Sequence, residues 1–504
     1  MKVLLINSNQ YKLPVPAMPF GLCLLASSLE EVEHETKIVD LCFTTKPTRK
    51  IEKAIKDFQP DIVGVSVRNI DTVAYYNTYF QLETVKENVI EPLKKAFQGP
   101  IVIGGTAVGI LGVEILKYFG LKYAICGDGE QAMVEFVDRI EKKKSLAGMP
   151  GLTWWENGKI IEENPPLHIK DLNLIPLASH FRYINVDKYR LFRAPLQIQT
   201  KRGCGLNCTY CAYNIIEGAG YRLRDPQKVA DEIEIIFKAT GNNHFEFADS
   251  TFNIPFDHSK AVLRAIINKN LEGLKLCTMG INPGAVDDEY ANLLKDAQFK
   301  YVEVGAESGS NKMLKALGKN FTKDDIFRTA EALHKVNMPI MWYILTGAPG
   351  ENKETLMETA ETMKKAASEW DMVVLLNGIR VNKGTPLAKY WLKENPNCTK
   401  DNFLTPVFYS SEDVNLDAIR TFNKLIAFQH PNHLFPEEVQ RVPLAALKFQ
   451  AFIMRHFAPN QPWWRFNIAL NHIQKGLGIY YIRKKRFESQ NKNLLKKLES
   501  GKKK

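Results

Sequence analysis

Three cysteines fall within eight residues, Cys204-Gly205-Leu206-Asn207-Cys208-Thr209-Tyr210-Cys211. The spacing is C-x3-C-x2-C. Thiolates are soft ligands, and three on one short loop can hold three irons of a [4Fe–4S] cluster. The fourth iron is then left without a protein ligand, because no fourth cysteine stands at cluster spacing. Such an open iron can bind a small molecule through an amine and a carboxylate. Zinc is the competing metal, but structural zinc takes four closed ligands, usually as two separated pairs. The other cysteines, Cys23, Cys42, Cys126, Cys277 and Cys398, are scattered through 504 residues. That is not the dense framework of a small secreted scaffold, and a reducing, cytoplasmic setting fits it best.

The cysteine loop follows a strand expected at Leu196–Thr200. Further strands are expected at Phe245–Ala248, Lys275–Met279, Val302–Gly305, Ile340–Leu345 and Met372–Leu376, with helices such as Pro226–Lys238 and Lys353–Ala366 between them. Six βα units predict a partial barrel whose site lies at the carboxyl ends of its strands. Upstream, Val3–Ile6, Lys37–Asp40, Asp61–Val67, Pro100–Gly104 and Tyr123–Cys126 are apolar on both faces, and helical stretches such as Gly21–Glu31 separate them. That pattern predicts a parallel, doubly wound, Rossmann-like sheet. Ligands of such sheets sit at the strands' carboxyl ends. There the chain places Ser66–Asp71, Gly104-Gly105-Thr106 and Gly127-Asp128-Gly129-Glu130, whose glycines allow close backbone approach. No GxGxxG follows the first strand, which argues against a dinucleotide site. Gly151–Ile161 reads as a hairpin turning at Asn157-Gly158. Residues 415–504 read as helical without strand signal, with aromatics from Phe449 to Tyr481 expected in the core or around a greasy pocket. The expected divisions are residues 1–150, a linker over 151–195, the barrel over 196–392, a helical region over 393–482 and a basic tail over 483–504.

Hydrophobic residues make up 45% and charged residues 24%, which excludes wholesale disorder. No run approaches the roughly 18 apolar residues of a membrane span. The opening MKVLLINSNQ is too short for a signal peptide and reads as a buried strand. The net charge is +11, of which residues 483–504 hold +8 through ten Lys/Arg against two Glu. The nearly neutral remainder is not the basic surface of a nucleic-acid-binding domain. The tail is expected to be mobile, with peripheral contact to an anionic membrane surface or an acidic partner as its electrostatic role.

The cysteine spacing, with an aromatic Tyr210 before the last cysteine, resembles the signature of the radical S-adenosylmethionine enzymes. The resemblance continues through Phe247-Ala248-Asp249-Ser250-Thr251-Phe252, Val304-Gly305-Ala306-Glu307-Ser308-Gly309-Ser310, Thr346-Gly347-Ala348-Pro349-Gly350-Glu351 and Asn382-Lys383-Gly384-Thr385-Pro386-Leu387, covering about residues 196–392. Ser250 stands where the family has a second Asp. The first part resembles the cobalamin-binding domain of one large subclass, the class B type radical methyltransferases. It does so through Pro19-Phe20-Gly21-Leu22, Ser66-Val67-Arg68-Asn69, Gly104-Gly105 and Gly127-Asp128-Gly129-Glu130. The DxHxxG loop that gives cobalt a histidine in many cobalamin proteins is absent, and His34 is the only histidine before His168.

The resemblance implies that Cys204, Cys208 and Cys211 ligate the cluster. It implies that Tyr210, Asp249, Glu307 and Arg380 contact S-adenosylmethionine. By the same resemblance Ser66, Arg68, Asn69, Gly104, Gly105, Gly127 and Glu130 contact cobalamin, with Arg68 or Asn69 on the lower side of cobalt. The implied activity is methylation of an unactivated carbon of a small molecule or lipid, by way of a 5′-deoxyadenosyl radical and methylcobalamin. The implied source of electrons is a reducing partner such as flavodoxin or ferredoxin. The alternative within this architecture is an oxidative cyclase or rearrangement enzyme without net methylation. An RNA methylthiotransferase fits less well, because no basic RNA-binding module is present, and a cobalamin or redox sensor is disfavoured by the intact barrel motifs.

Overall fold

The computed structural model describes residues 1–13, 15–399, 403–411, 413–436 and 443–492. It opens with β1 (Lys2–Asn7), β2 (Glu35–Asp40), β3 (Ile62–Ser66), β4 (Ile101–Gly104) and β5 (Tyr123–Ile125), followed by β6 (Leu152–Glu156) and β7 (Lys159–Glu163). These form one sheet in the order β2-β1-β3-β4-β5-β6-β7. The first five strands are parallel. Alternate residues enter opposite cores, as a pleated strand requires: Leu4, Ile6, Val63 and Val65 on one face, Val3, Leu5 and Ile62 on the other. The hairpin turns where expected, but it extends this sheet antiparallel to β5 instead of standing apart in a linker.

The second sheet system starts at β8 (Leu196–Ile198). A two-residue ribbon, β9 (Lys201–Arg202) with β10 (Arg222–Leu223), frames the cysteine loop. The barrel continues through β11 (His244–Phe247), β12 (Lys275–Thr278), β13 (Val302–Glu307), β14 (Ile340–Thr346) and β15 (Met372–Asn377). Pairing runs β8-β11-β12 and β13-β14-β15, and the bridges Leu276 to Phe299 and Ile281 to Val304 join the two groups. The ladder β16 (Ile379–Arg380) with β17 (Phe408–Tyr409) follows. β18 (His433–Leu434) then pairs parallel with β15, so the C-terminal region is not wholly helical. A two-residue strand has no periodicity to read, which is why it escaped the sequence pattern.

Helices Leu444–Phe457, Trp464–Gly476 and Ile479–Gln490 complete the described chain. Their aromatics are mostly not core. Trp464 is buried, whereas Phe449, Phe452, Phe457 and Tyr481 are exposed. The tail also departs from expectation: residues 483–490 are the end of a helix whose Phe487 packs on Phe428. Residues 493–504 lie outside the described residues. Among the described helices none is long and apolar enough to cross a membrane.

The barrel and the first sheet share a core in which Met313, Leu345 and Ile379 pack with Val65, Val67 and Ile103. Buried ion pairs fix their relative position. Arg202 donates to both Glu130 oxygens at 3.0 and 2.5 Å and lies 3.1 Å from Asp128, with all three side chains at most 8% exposed. Arg222 also reaches Asp128. Arg380 pairs with Asp71 at 2.9 Å and Lys383 with Glu114 at 2.6 Å.

Removing one member of a buried pair strands the other's charge, typically at about 3–5 kcal/mol. Arg202→Met is expected to lower unfolding stability by roughly 3 kcal/mol in urea titrations. Burial pushes the Asp128 carboxyl up, but Arg202 and Arg222 pull it further down, leaving it below its ordinary value. Its contribution is therefore complete above the ordinary carboxylate range and lost as pH falls through the depressed value. The wild type should lose stability on acidification through that window, and Arg202→Met should lose less.

Candidate active site

The cysteine loop is pinned at each end. Asp249 accepts from Thr200 N at 2.9 Å, Thr200 Oγ1 at 2.7 Å and Lys201 N at 3.3 Å. Its carboxylate thus braces the strand that enters the loop and is not presented as a ligand for S-adenosylmethionine. Gly203 takes φ +85°, and a Cβ there would stand 2.1 Å from Gly220 O, so only glycine lets the loop close. The Glu217 carboxylate accepts from Gly203 N at 3.0 Å. Farther along, Thr209 N donates to Leu317 O at 3.0 Å and Leu387 N to Thr209 O at 2.9 Å. Three thiols are thereby held on a rigid turn at the carboxyl end of β8.

Cys204 is buried, and Cys208 and Cys211 are half-buried. Burial pushes the Cys211 thiol up to about 12, with the other two thiols adding to the effect. Burial also raises Cys208, opposed by Lys319. Cys208 and Cys211, which resist ionising on their own, are suited to a strongly electropositive centre that takes them as thiolates. Three cysteines leave the fourth position of a closed tetrahedral zinc site unfilled, whereas a [4Fe–4S] cluster takes them on three of its irons. Among the described residues, the trio whose ligand atoms all lie within 4.8 Å is His34, Asp138 and Glu141, not these thiols.

Beside the loop, Tyr210 donates to Glu307 Oε1 at 2.7 Å, and Lys319 Nζ reaches Tyr210 Oη at 2.9 Å and Glu307 Oε1 at 3.1 Å. A register shift in β13 between Val304 and Glu307 and a φ of +60° at Glu307 turn this carboxylate toward the cysteines. Burial lowers the Lys319 ammonium, but Glu307 and Cys208 raise it further, so it stays charged. The sequence pattern points to Tyr210 and Glu307 but not to Lys319, which carries no signal beyond being one basic residue after a short helix. Arg380 is not in this group. Its guanidinium is consumed by Asp71, Val381 O and Phe403 O.

At the carboxyl edge of the first sheet lies a cavity of about 320 Å³. Ser66, Arg68, Gly104, Gly105, Gly127 and Glu130 line one side, and the barrel's Gln197, Gln199, Tyr213, Glu217 and Met279 the other. Among the described residues no histidine lines it. Gly21 also faces it, and a Cβ there would meet nothing within 4 Å. A flat, largely uncharged macrocycle at a switch point of this kind suits these residues. Two expected contacts change. Glu130 is tied to Arg202, so its charge is already compensated. Asn69 does not line the cavity; with its amide oriented to satisfy both groups, it bonds back onto Arg68 at 3.2 and 3.3 Å. Gly127 is required by the fold as well, since at φ +93° a Cβ would stand 2.3 Å from Leu167 O.

A larger cavity of about 1110 Å³ fills the barrel lumen. Alternate residues of β11, β13 and β14 point into it, among them Glu246, Glu303, Met341 and Tyr343. Trp463, Tyr480, Arg483 and Arg486 close its C-terminal side, so the start of the expected free tail forms a wall. The two cavities share Ala17, Met18, Arg68, Gln197 and Met279.

Comparison with known proteins agrees with this arrangement. Residues 198–363 match the radical SAM superfamily and residues 12–137 the B12 binding domain. An uncharacterized methyltransferase of Pyrococcus horikoshii is 28% identical over 383 residues, covering 75% of this chain and 79% of that protein. The radical S-adenosylmethionine methyltransferase TsrM of Kitasatospora setae, solved with tryptophan and a SAM analog, superposes with a TM-score of 0.73 at 26% identity, over 78% of this chain and 76% of that one. TsrM has also been solved with cobalamin and a [4Fe–4S] cluster. The cobalamin-dependent radical enzyme OxsB, with aqua-cobalamin and S-adenosylmethionine bound, shares the fold over 99% of this chain and 80% of its own, with a TM-score of 0.66 at 14% identity. With a B12 binding domain ahead of a radical SAM domain, and cofactors that follow from both, the chain belongs to the cobalamin-dependent radical S-adenosylmethionine enzymes.

Proposed function

We propose that this enzyme transfers a methyl group to carbon of a small molecule held in the barrel lumen. The observation that carries the reading is the wall shared by the two cavities at Ala17, Met18, Arg68, Gln197 and Met279. A molecule in the lumen has the cysteine loop at the strand ends and the glycine-lined cavity across that wall. The cluster with S-adenosylmethionine supplies radical initiation, and cobalamin supplies a transferable methyl group. The chain's own residues bind, orient and exclude water. Cys204, Cys208 and Cys211 are the proposed cluster ligands. Glu307, held by Tyr210 and Lys319, is the proposed contact for the amine of S-adenosylmethionine. Ser66, Gly104, Gly105 and Gly127 form the proposed cobalamin cradle. Arg68, steadied by Asn69, stands on its open side with no histidine present. Asp249, Glu130 and Arg380 are positioning residues here.

A low-potential donor such as flavodoxin or ferredoxin fits a half-buried cluster. An anionic-surface contact for the C-terminal segment rests on charge alone. Cyclisation without methylation uses the same cavities, and the fate of a labelled methyl group separates the two. Anaerobic turnover with methyl-labelled S-adenosylmethionine and extract fractions should place label on carbon of a product; a product without label would favour the cyclase. Replacing the three loop cysteines together with alanine should abolish both the iron–sulfur absorbance and 5′-deoxyadenosine formation. Lys319→Met should retain iron yet slow 5′-deoxyadenosine formation about tenfold, a barrier change of roughly 1.4 kcal/mol, because Glu307 then adds uncompensated negative charge beside Cys208. Lys319→Arg should recover part of the rate.

A further inference from the structure

The lumen contains two carboxyls that the proposed methyl transfer does not use. Glu246 on β11 and Glu303 on β13 flank β12 and face the same space. Beside Glu303 stand Tyr343 and Glu246 itself, and beside Glu246 stand Gln197 and one cation, Arg68. Burial pushes Glu303 up to about 8, and the charge of Glu246 adds to the shift. Burial raises Glu246 too, against a smaller opposing pull from Arg68. Two nearly enclosed carboxyls with one cation acting on Glu246 and none on Glu303 are costly to bury, and buried charges are normally paired.

Apart from Arg68, the cations that line the lumen do not act on either carboxyl. Arg193 is bound to the carbonyls of Pro459 and Gln461, and Lys275 to that of Pro459. Lys275 starts β12, and Lys300 and Arg193 precede β13 and β8, so these cations gather at the strands' amino ends. Glu246 and Glu303 stand farther along their strands, toward the wall shared with the smaller cavity. Besides Gln197 and Arg68, the lining next to them includes the apolar or aromatic Met279, Met341 and Tyr343.

We propose that Glu246 and Glu303 form the receptor for a protonated nitrogen of the substrate, so the molecule modified in this lumen is an amine. The assignment deepens the functional proposal and rests on its placing substrate in the lumen. An ammonium between the two carboxyls supplies the counter-charge that Glu303 lacks and donates to both. It would also fix which carbon of the substrate lies nearest the wall shared with the smaller cavity. When the two glutamates share one proton, the pair carries a single negative charge. Replacing either one by glutamine leaves that charge on the other, whereas replacing both removes it.

The test uses the enzyme loaded with its cluster and cobalamin, with S-adenosylmethionine present, and equilibrium dialysis of two probes. Tryptamine and tryptophol share an indole body and differ in an ammonium against a hydroxyl. The wild type is expected to hold tryptamine at least about tenfold more tightly. Glu246→Gln and Glu303→Gln should each keep most of that preference. The double variant should reduce it to within about twofold while retaining iron and cobalamin. Equal binding of the two probes by the wild type, no binding of tryptamine, or a preference undiminished in the double variant would overturn the proposal. The wild-type comparison decides the matter even if the double variant does not fold. Failure of the functional proposal reads out separately, as loaded protein that forms no 5′-deoxyadenosine whatever its preference between the probes.

Discussion

The buried bond from Arg202 to Glu130 and Asp128 joins two places that are distant in the chain. Arg202 stands two residues before the first loop cysteine. Asp128 and Glu130 belong to the glycine loop after β5. Because this contact ties the cysteine loop to the carboxyl edge of the first sheet, the lumen and the smaller cavity meet along one wall. Hydrophobic packing between the two units supplies attraction without direction. A guanidinium bound through both arms to one carboxylate fixes orientation as well, and the single-contact pairs Arg380–Asp71 and Lys383–Glu114 add to the tie along the same boundary.

Charge is arranged with the same economy around the cysteines. Lys319 is the buried cation that lets Glu307 sit beside three thiols, and Tyr210 closes the triangle. The lumen differs, since its two glutamates share one neighbouring cation, Arg68, which acts on Glu246 and not on Glu303. A compensated group near the cysteines and an uncompensated one in the lumen are what distinguish machinery that is present at all times from a space that awaits a ligand.

β1, β3 and β4 were legible because each is a short apolar run buried on both faces, and they fall within a residue of expectation. Lys353–Ala366 was legible to its ends, since Asn352 caps it and the apolar spacing stops with it. The cysteine loop announced itself by spacing. Asp249, Glu130 and Arg380 were harder, because a strand-end position places a side chain near a site without saying whether it turns to a ligand or to the backbone. All three turn to the protein. Lys319 and the barrel glutamates were invisible for a related reason. Their meaning comes from partners brought close only by folding: Lys319 lies 109 residues from Tyr210, and Glu246 and Glu303 sit on different strands. The start of the basic tail misled because composition was read over the whole segment, while Phe487 packs its first turns against Phe428 and Arg483 and Arg486 wall the large cavity.

The central claim is that the cysteine loop and the glycine-lined cavity hold two different metal cofactors on either side of one shared space. Anomalous diffraction from crystals of the reconstituted protein, recorded at the iron and cobalt edges, tests it most directly. The account predicts iron at Cys204, Cys208 and Cys211, and cobalt between Gly104, Gly105 and Gly127 on one side and Gln197 and Met279 on the other. Iron bound elsewhere, zinc at the three cysteines, or cobalt outside that cavity would contradict it.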